Sequence, residues 1–118
     1  MSKPKVLIVE DEVRWSHVFK ALLQNDVEVI IAFTIQSAEE LFREHSSDLV
    51  VILMDAQMDA FAPNTMELTR TFRQSFAGPM IAMSSLHANL QLLREAGCDY
   101  EAEKDKAVEK LREILGLS

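Results

Sequence analysis

The stretch LVVILMDAQMD, Leu49 to Asp59, sets an uninterrupted apolar run directly against Asp55. A run of Val, Ile and Leu too short for a helix of its own predicts a strand buried on both faces, as in the middle of a parallel sheet. In open parallel α/β sheets, ligands occupy the crevice beyond the carboxyl ends of the strands. A carboxylate at that end is therefore a candidate site residue before it is anything else.

The rest of the chain repeats the arrangement. Val6 to Val9 forms a short apolar strand running into Glu10, Asp11 and Glu12. Trp15, Val18, Phe19, Leu22 and Leu23 follow at the spacing of one helix face, closed by Asn25 and Asp26. Val27 to Phe33 reads as a second strand near a sheet edge, with Glu28 its only charge. Ser37 with Glu40 reads as a capping box opening a helix that buries Ala38, Leu41 and Phe42. Beyond the central strand lies an irregular stretch, Ala56 to Asn64. A helix from about Thr65 then carries Leu68, Thr69, Phe72 and Phe76 on one face, ended by Gly78 and Pro79. Met80 to Met83 is a fourth strand, closed by Ser84 and Ser85. The next helix turns Leu86, Leu90, Leu93 and Ala96 inward, with Gly97 as its C-cap. Tyr100 to Glu103 reads as a short edge strand, and Asp105 as the cap of a last helix with Val108, Leu111, Ile114 and Leu115 inside. Strands and helices alternating at this spacing predict right-handed crossovers and an α/β fold, a parallel sheet with helices on both faces.

Composition narrows the functional classes. A chain of 118 residues fits one domain, and folding at this size buries roughly 65% of the unfolded surface, so no metal or disulfide staple is needed. A net charge of −7 lacks the clustered Lys and Arg of a nucleic-acid footprint. No apolar run approaches the ~20 residues of a membrane span, and the apolar stretch after the N-terminal lysines is too short for a signal-peptide core. The single Cys98 forms no internal disulfide, which agrees with a reducing cytoplasm. The expected partners are proteins or a cation, with no nucleic acid and no membrane.

On the predicted sheet, Glu10 and Asp11 follow strand one, Asp55 ends strand three, Ser84 follows strand four and Lys104 follows strand five, all on one rim. Carboxylates about 5 Å apart repel by roughly 3 kcal/mol per pair at an effective dielectric of 20, so the cluster calls for a cation. Hard oxygen ligands without a nearby His or Cys pair fit Mg²⁺. An Asp beside Mg²⁺ can attack a phosphoryl group while a hydroxyl and a lysine neutralise its oxygens. Taken alone, Asp55 is as readily a loop cap; the company of the other rim groups makes it the candidate nucleophile. Glu12 reads as solvated, Met54, Met58, Met66, Met80 and Met83 as core filler, and His17, His45 and His87 share no motif.

VLIVEDE, DLVVILMDAQM, PMIAMSS and AGCDYEAEK together resemble the motif blocks of the response-regulator receiver domain, over essentially the whole chain. The resemblance implies a five-stranded doubly wound sheet in the order 2-1-3-4-5 and a single receiver domain over residues 1–118. It implies Mg²⁺ held by Glu10 and Asp11, with Asp11 favoured as the direct ligand, by the phosphoacceptor Asp55 and by the backbone carbonyl of Gln57. Ser84 matches the switch hydroxyl and Lys104 the family's lysine. The implied activity is acceptance of a phosphoryl group on Asp55 from a histidine kinase or phosphotransfer protein. The chain would then signal to a downstream effector, catalysing only its own transfer and autodephosphorylation, as a cytoplasmic, stand-alone monomer or weak dimer.

Three departures from the family pattern bear on the site. The loop after Asp55 is about two residues longer, lacks glycine and has Asp59 where proline is common. Asp105 replaces a cis proline after Lys104, and because a non-proline cis bond costs ~3 kcal/mol, a trans bond and a reshaped loop are expected. Glu101 occupies the place of the aromatic switch residue, with Tyr100 one position earlier and so on the opposite strand face. These departures support an alternative, a pseudo-receiver that binds proteins without phosphorylation; the intact Glu10, Asp11 and Asp55 oppose it. An aspartate-nucleophile phosphatase ranks last, because Gln57 stands where its leaving-group acid is required.

Overall fold

The computed structural model describes residues 3–117. Strands and helices alternate: β1 (Lys5–Val9), α1 (Val13–Leu23), β2 (Glu28–Ala32), α2 (Ile35–His45), β3 (Leu49–Asp55), α3 (Met66–Ser75), β4 (Met80–Met83), α4 (His87–Ala96), β5 (Tyr100–Ala102), a 3-10 turn at Lys104–Lys106 and α5 (Ala107–Leu115). All strand pairs are parallel, in the order β2-β1-β3-β4-β5. This is the sheet order expected from the sequence.

Period-two alternation sorts the strand residues between two cores. Leu7, Val9, Ile52, Met54, Met80 and Ala82 pack with Phe42, Phe72, Leu90 and Leu93 beneath α2, α3 and α4. Val6, Ile8, Val51, Leu53, Ile81 and Met83 pack with Phe19, Leu23 and Leu111 beneath α1 and α5. β1, β3 and β4 are covered on both sides, which explains why their sequences are continuously apolar rather than alternating. The methionines Met54, Met58, Met80 and Met83 are buried, and Cys98 is packed inside, where burial pushes its thiol up to about 12.

Several local expectations are corrected. The capping box of α2 is Thr34 with Ser37, not Ser37 with Glu40: Thr34 Oγ1 accepts the Ser37 N–H and Ser37 Oγ accepts the Thr34 N–H. Asp105 caps nothing, because it lies inside the 3-10 turn and α5 starts from Lys106 without a side-chain cap. On α1, Phe19 and Leu23 are buried, but Val18 and Leu22 are exposed, and Ser16 takes an inner place by donating its hydroxyl to the Val13 carbonyl. Leu86 is exposed rather than inward, since it precedes α4 as the N-cap.

At the end of the sheet away from the site, Arg73 ties α3 to two turns. Its guanidinium donates to the carbonyls of Phe76, Gly78 and Gly97 and to Asp99 Oδ2, which also accepts the Met80 N–H. Gly97 has φ +137°, a conformation that favours glycine, and a Cβ there would also crowd the Arg73 side chain at 3.1 Å. Removing Arg73 strands three carbonyls at once. Arg73→Ala is expected to cost about 2 kcal/mol, read as a lower urea midpoint at unchanged m-value; an unshifted midpoint would show that water replaces those bonds without loss.

Candidate functional site at the carboxyl edge of the sheet

The register carries the site. Val9 lies beside Met54, Asp55 beside Met83 and Met83 beside Ala102, so the residues that follow these strands emerge at one level. Backbone bonds extend the alignment past the strand ends, from the N–H groups of Glu10, Ala56 and Ser84 to the carbonyls of Ala32, Met83 and Ala102.

Glu10 is fully buried and Asp55 is 3% exposed. Glu10 Oε2 accepts the Glu12 N–H at 3.1 Å and Asp55 Oδ1 accepts the Gln57 N–H at 3.1 Å. Lys104 fills the gap between the two acids, its ammonium 3.0 Å from Glu10 Oε1 and 2.9 Å from Asp55 Oδ2. Asp11 lies at the mouth, half-buried, with Oδ2 accepting the Asp59 N–H at 2.7 Å. Oxygens of Glu10, Asp11 and Asp55 lie within 4.8 Å of one another. Ser84, 5% exposed, joins Asp55 and Lys104 in lining one cavity of about 410 Å³. Its Oγ accepts the Leu86 N–H at 3.1 Å, which leaves its own hydrogen to donate. All six residues singled out in the sequence meet here; Gln57 does so by its backbone, its side-chain amide being turned to the Ala60 carbonyl.

Lys104 arrives without the proline. No cis peptide occurs among the described residues, and the 3-10 turn, closed by the Lys106 N–H on the Glu103 carbonyl, aims the side chain inward. Trp15, stacked on buried Phe19, places its ring 5.9 Å from the ammonium. The long loop after Asp55 manages without glycine by a side-chain clamp. Asn64 Oδ1 accepts the Met58 N–H and Asn64 Nδ2 donates to the Met58 carbonyl, both at 2.8 Å, while Thr65 Oγ1 donates to the Asp55 carbonyl at 2.7 Å. Asp59 takes the left-handed turn, with φ 49°. Neither Asn64 nor Trp15 was singled out as a site support. The turn chemistry of Asn was the available signal for the first; for the second, periodicity pointed only to the core.

Burial, and then the charge of Asp55, push Glu10 up to about 7. Burial also raises Asp55, opposed by the hydrogen bond and charge of Lys104. Burial alone would lower Lys104, but Asp55 and Glu10 together outweigh it and hold the lysine above its ordinary value. Three carboxylates against one ammonium leave a formal surplus of two negative charges. Glu10 Oε1 and Asp55 Oδ2 are buried and both turn to the one Lys104 ammonium, at 3.0 and 2.9 Å. Buried carboxylate oxygens that share a single ammonium, with a formal negative surplus, fit a hard divalent cation.

No protein-family model matches the sequence, and no curated protein matches it. Solved structures do match in fold. A putative response regulator from Chloroflexus aurantiacus superposes with a TM-score of 0.80 at 16% identity, covering 98% of this chain and 99% of that one. A response regulator receiver protein from Pseudoalteromonas atlantica gives 0.79 at 19% identity, covering 96% and 98%. A CheY-like response regulator receiver domain protein from Methanospirillum hungatei gives 0.77 at 21% identity, covering 98% and 95%. Over nearly its whole length, the chain has the fold of the response-regulator receiver domains.

Proposed function

We propose that this chain is a phosphoacceptor receiver in two-component signal transduction. In this reading it takes a phosphoryl group from a histidine kinase or phosphotransfer protein onto Asp55 and passes the signal to a partner protein in the cytoplasm. The observation that carries the reading is the Asp55 carboxylate at the end of the central strand, paired with Lys104 and grouped with Glu10 and Asp11 at the floor of an open cavity. That no helix among the described residues is long and apolar enough to cross a membrane is compatible with it.

Each side chain then has a task. An Asp55 oxygen attacks phosphorus as the bond from phosphorus to the donor's imidazole nitrogen breaks, and the electron pair leaves with the ring. The Lys104 ammonium offsets charge on the phosphoryl oxygens, and the Ser84 hydroxyl donates to one of them. Asp11, Asp55 and the Gln57 carbonyl would hold Mg²⁺, with Glu10 behind them; when bound, the ion supplies charge neutralisation and orientation for the incoming phosphoryl group. Asp11 is the better direct ligand of the acid pair, because both Glu10 oxygens already face Lys104. Beyond its own phosphorylation and dephosphorylation, no other reaction is proposed for the chain.

A second reading, a phosphorylation-independent pseudo-receiver, draws on one observation: Lys104 by itself bridges Glu10 and Asp55. Incubation with acetyl phosphate and Mg²⁺ separates the two. Intact mass is expected to rise by one phosphoryl group in the wild type and not in Asp55→Ala. Lys104→Ala should slow the addition by about a hundredfold. An unmodified wild type would select the pseudo-receiver.

The raised carboxyl of Glu10 gives a second check. With about 7 folded against 4.5 unfolded, the folded chain holds the extra proton between those values, so the stability that Glu10 contributes is fully present below about 4.5 and is lost as pH rises through about 7. In chelator-treated protein the fall should approach about 3 kcal/mol at most, and saturating Mg²⁺ should reduce it. Urea midpoints that rise over that interval without metal would contradict the burial of an acid pair.

A further inference from the structure

The cavity over Asp55 has an ionic floor and an apolar rim. Phe61 is fully exposed, at 109% of its reference area, and Leu86 is 59% exposed, yet both line the same cavity as Asp55, Ser84 and Lys104. The loop that carries Phe61 is bound on both sides of it: the Asp59 N–H is held by Asp11, and Asn64 is clamped to Met58. A cavity of about 410 Å³ exceeds what a phosphoryl group and one cation occupy. The volume left over has room for a ring attached to the phosphoryl group, and Phe61 and Leu86 are the large apolar residues of its lining.

We propose that Phe61 is the donor-specificity residue of this site, receiving the imidazole ring of the phosphohistidine donor while its phosphoryl group faces Asp55 and Lys104. This rests on the phosphoacceptor reading above. An N-phosphorylated imidazole with its distal nitrogen protonated has a planar ring that carries positive charge, which the face of a phenyl ring attracts, while its anionic phosphoryl group turns to Lys104. The same protonation completes the chemistry: the P–N bond breaks, the Asp55 O–P bond forms, the electron pair stays on the ring nitrogen, and the ring departs as neutral imidazole. Acetyl phosphate has neither ring nor positive charge, so it draws nothing from Phe61.

The experiment compares phosphoimidazole with acetyl phosphate as donors to the full chain with Mg²⁺, in wild type, Phe61→Ala and Phe61→Trp. An exposed side chain can be removed without unfolding the protein. The ratio of the phosphoimidazole rate to the acetyl phosphate rate is expected to fall about threefold to fivefold in Phe61→Ala and to be restored in Phe61→Trp. An unchanged ratio would overturn the assignment while leaving Asp55 as phosphoacceptor. A faster loss of phosphate from Phe61→Ala at an unchanged ratio would also overturn it, making the residue a shield against water. No transfer from either donor to the wild type would remove the phosphoacceptor reading itself.

Discussion

The arrangement at the carboxyl edge depends on keeping two acids buried beside each other. Glu10 and Asp55 lose water at the ends of adjacent central strands, and an isolated buried carboxylate is too costly to stay charged. Lys104 lies against both and offsets much of that cost, but a single ammonium cannot satisfy three carboxylates. The folded chain carries this surplus at buried positions, where an apolar residue would be more stable. Such strain is what a site that waits for a cation requires.

Topology makes the cluster possible. Placing β1 beside β3 brings two strand ends with acids next to each other, and β4 and β5 follow on the same side to deliver Ser84 and Lys104. Two separate cores, one under α1 and α5 and one under α2 to α4, hold the sheet from both faces, so the rim groups project from a rigid edge. Flexibility is left to the loops. Even there, the Asn64 clamp and the Asp11–Asp59 bond tie the longest one to the site, which couples the position of the loop to whatever Asp11 binds.

Element order, strand pairing direction and the members of the rim were legible in the sequence, because burial on both faces writes itself as continuous apolar runs and because polar groups that follow several parallel strands collect on one rim. Finer features were not. Thr34 and Ser37 are both good caps three residues apart, and choosing between them depends on where the strand before them lets go, which periodicity does not report. Val18 and Leu22 fit an inner stripe by spacing but are left outside by the width of the contact α1 makes, and Leu86 stands before the first turn of α4. The route of Lys104 was open for a different reason. With Asp105 in place of proline, the 3-10 turn is closed by its own backbone bond from Lys106 to Glu103, and the Lys104 side chain that it delivers meets the Trp15 ring from the far end of the chain.

The edge strand β5 shows how the same fold is kept with different chemistry on its surface. Tyr100 and Glu101 are neighbours and so face opposite ways: Lys110 of α5 lies 5.3 Å over the Tyr100 ring, while Arg94 of α4 pairs with Glu101 at 2.9 Å. A surface ion pair contributes about 0–1 kcal/mol and is weakened by salt, whereas a packed aromatic contributes through burial. Ser84 sits at the inner end of the seam between α4 and β5, bonded through Leu86 to the start of α4 and through its own N–H to Ala102 of β5. A change in the partners of the Ser84 hydroxyl reaches both elements at once, and across the same seam Arg94 and His87 of α4 both face Glu101 of β5.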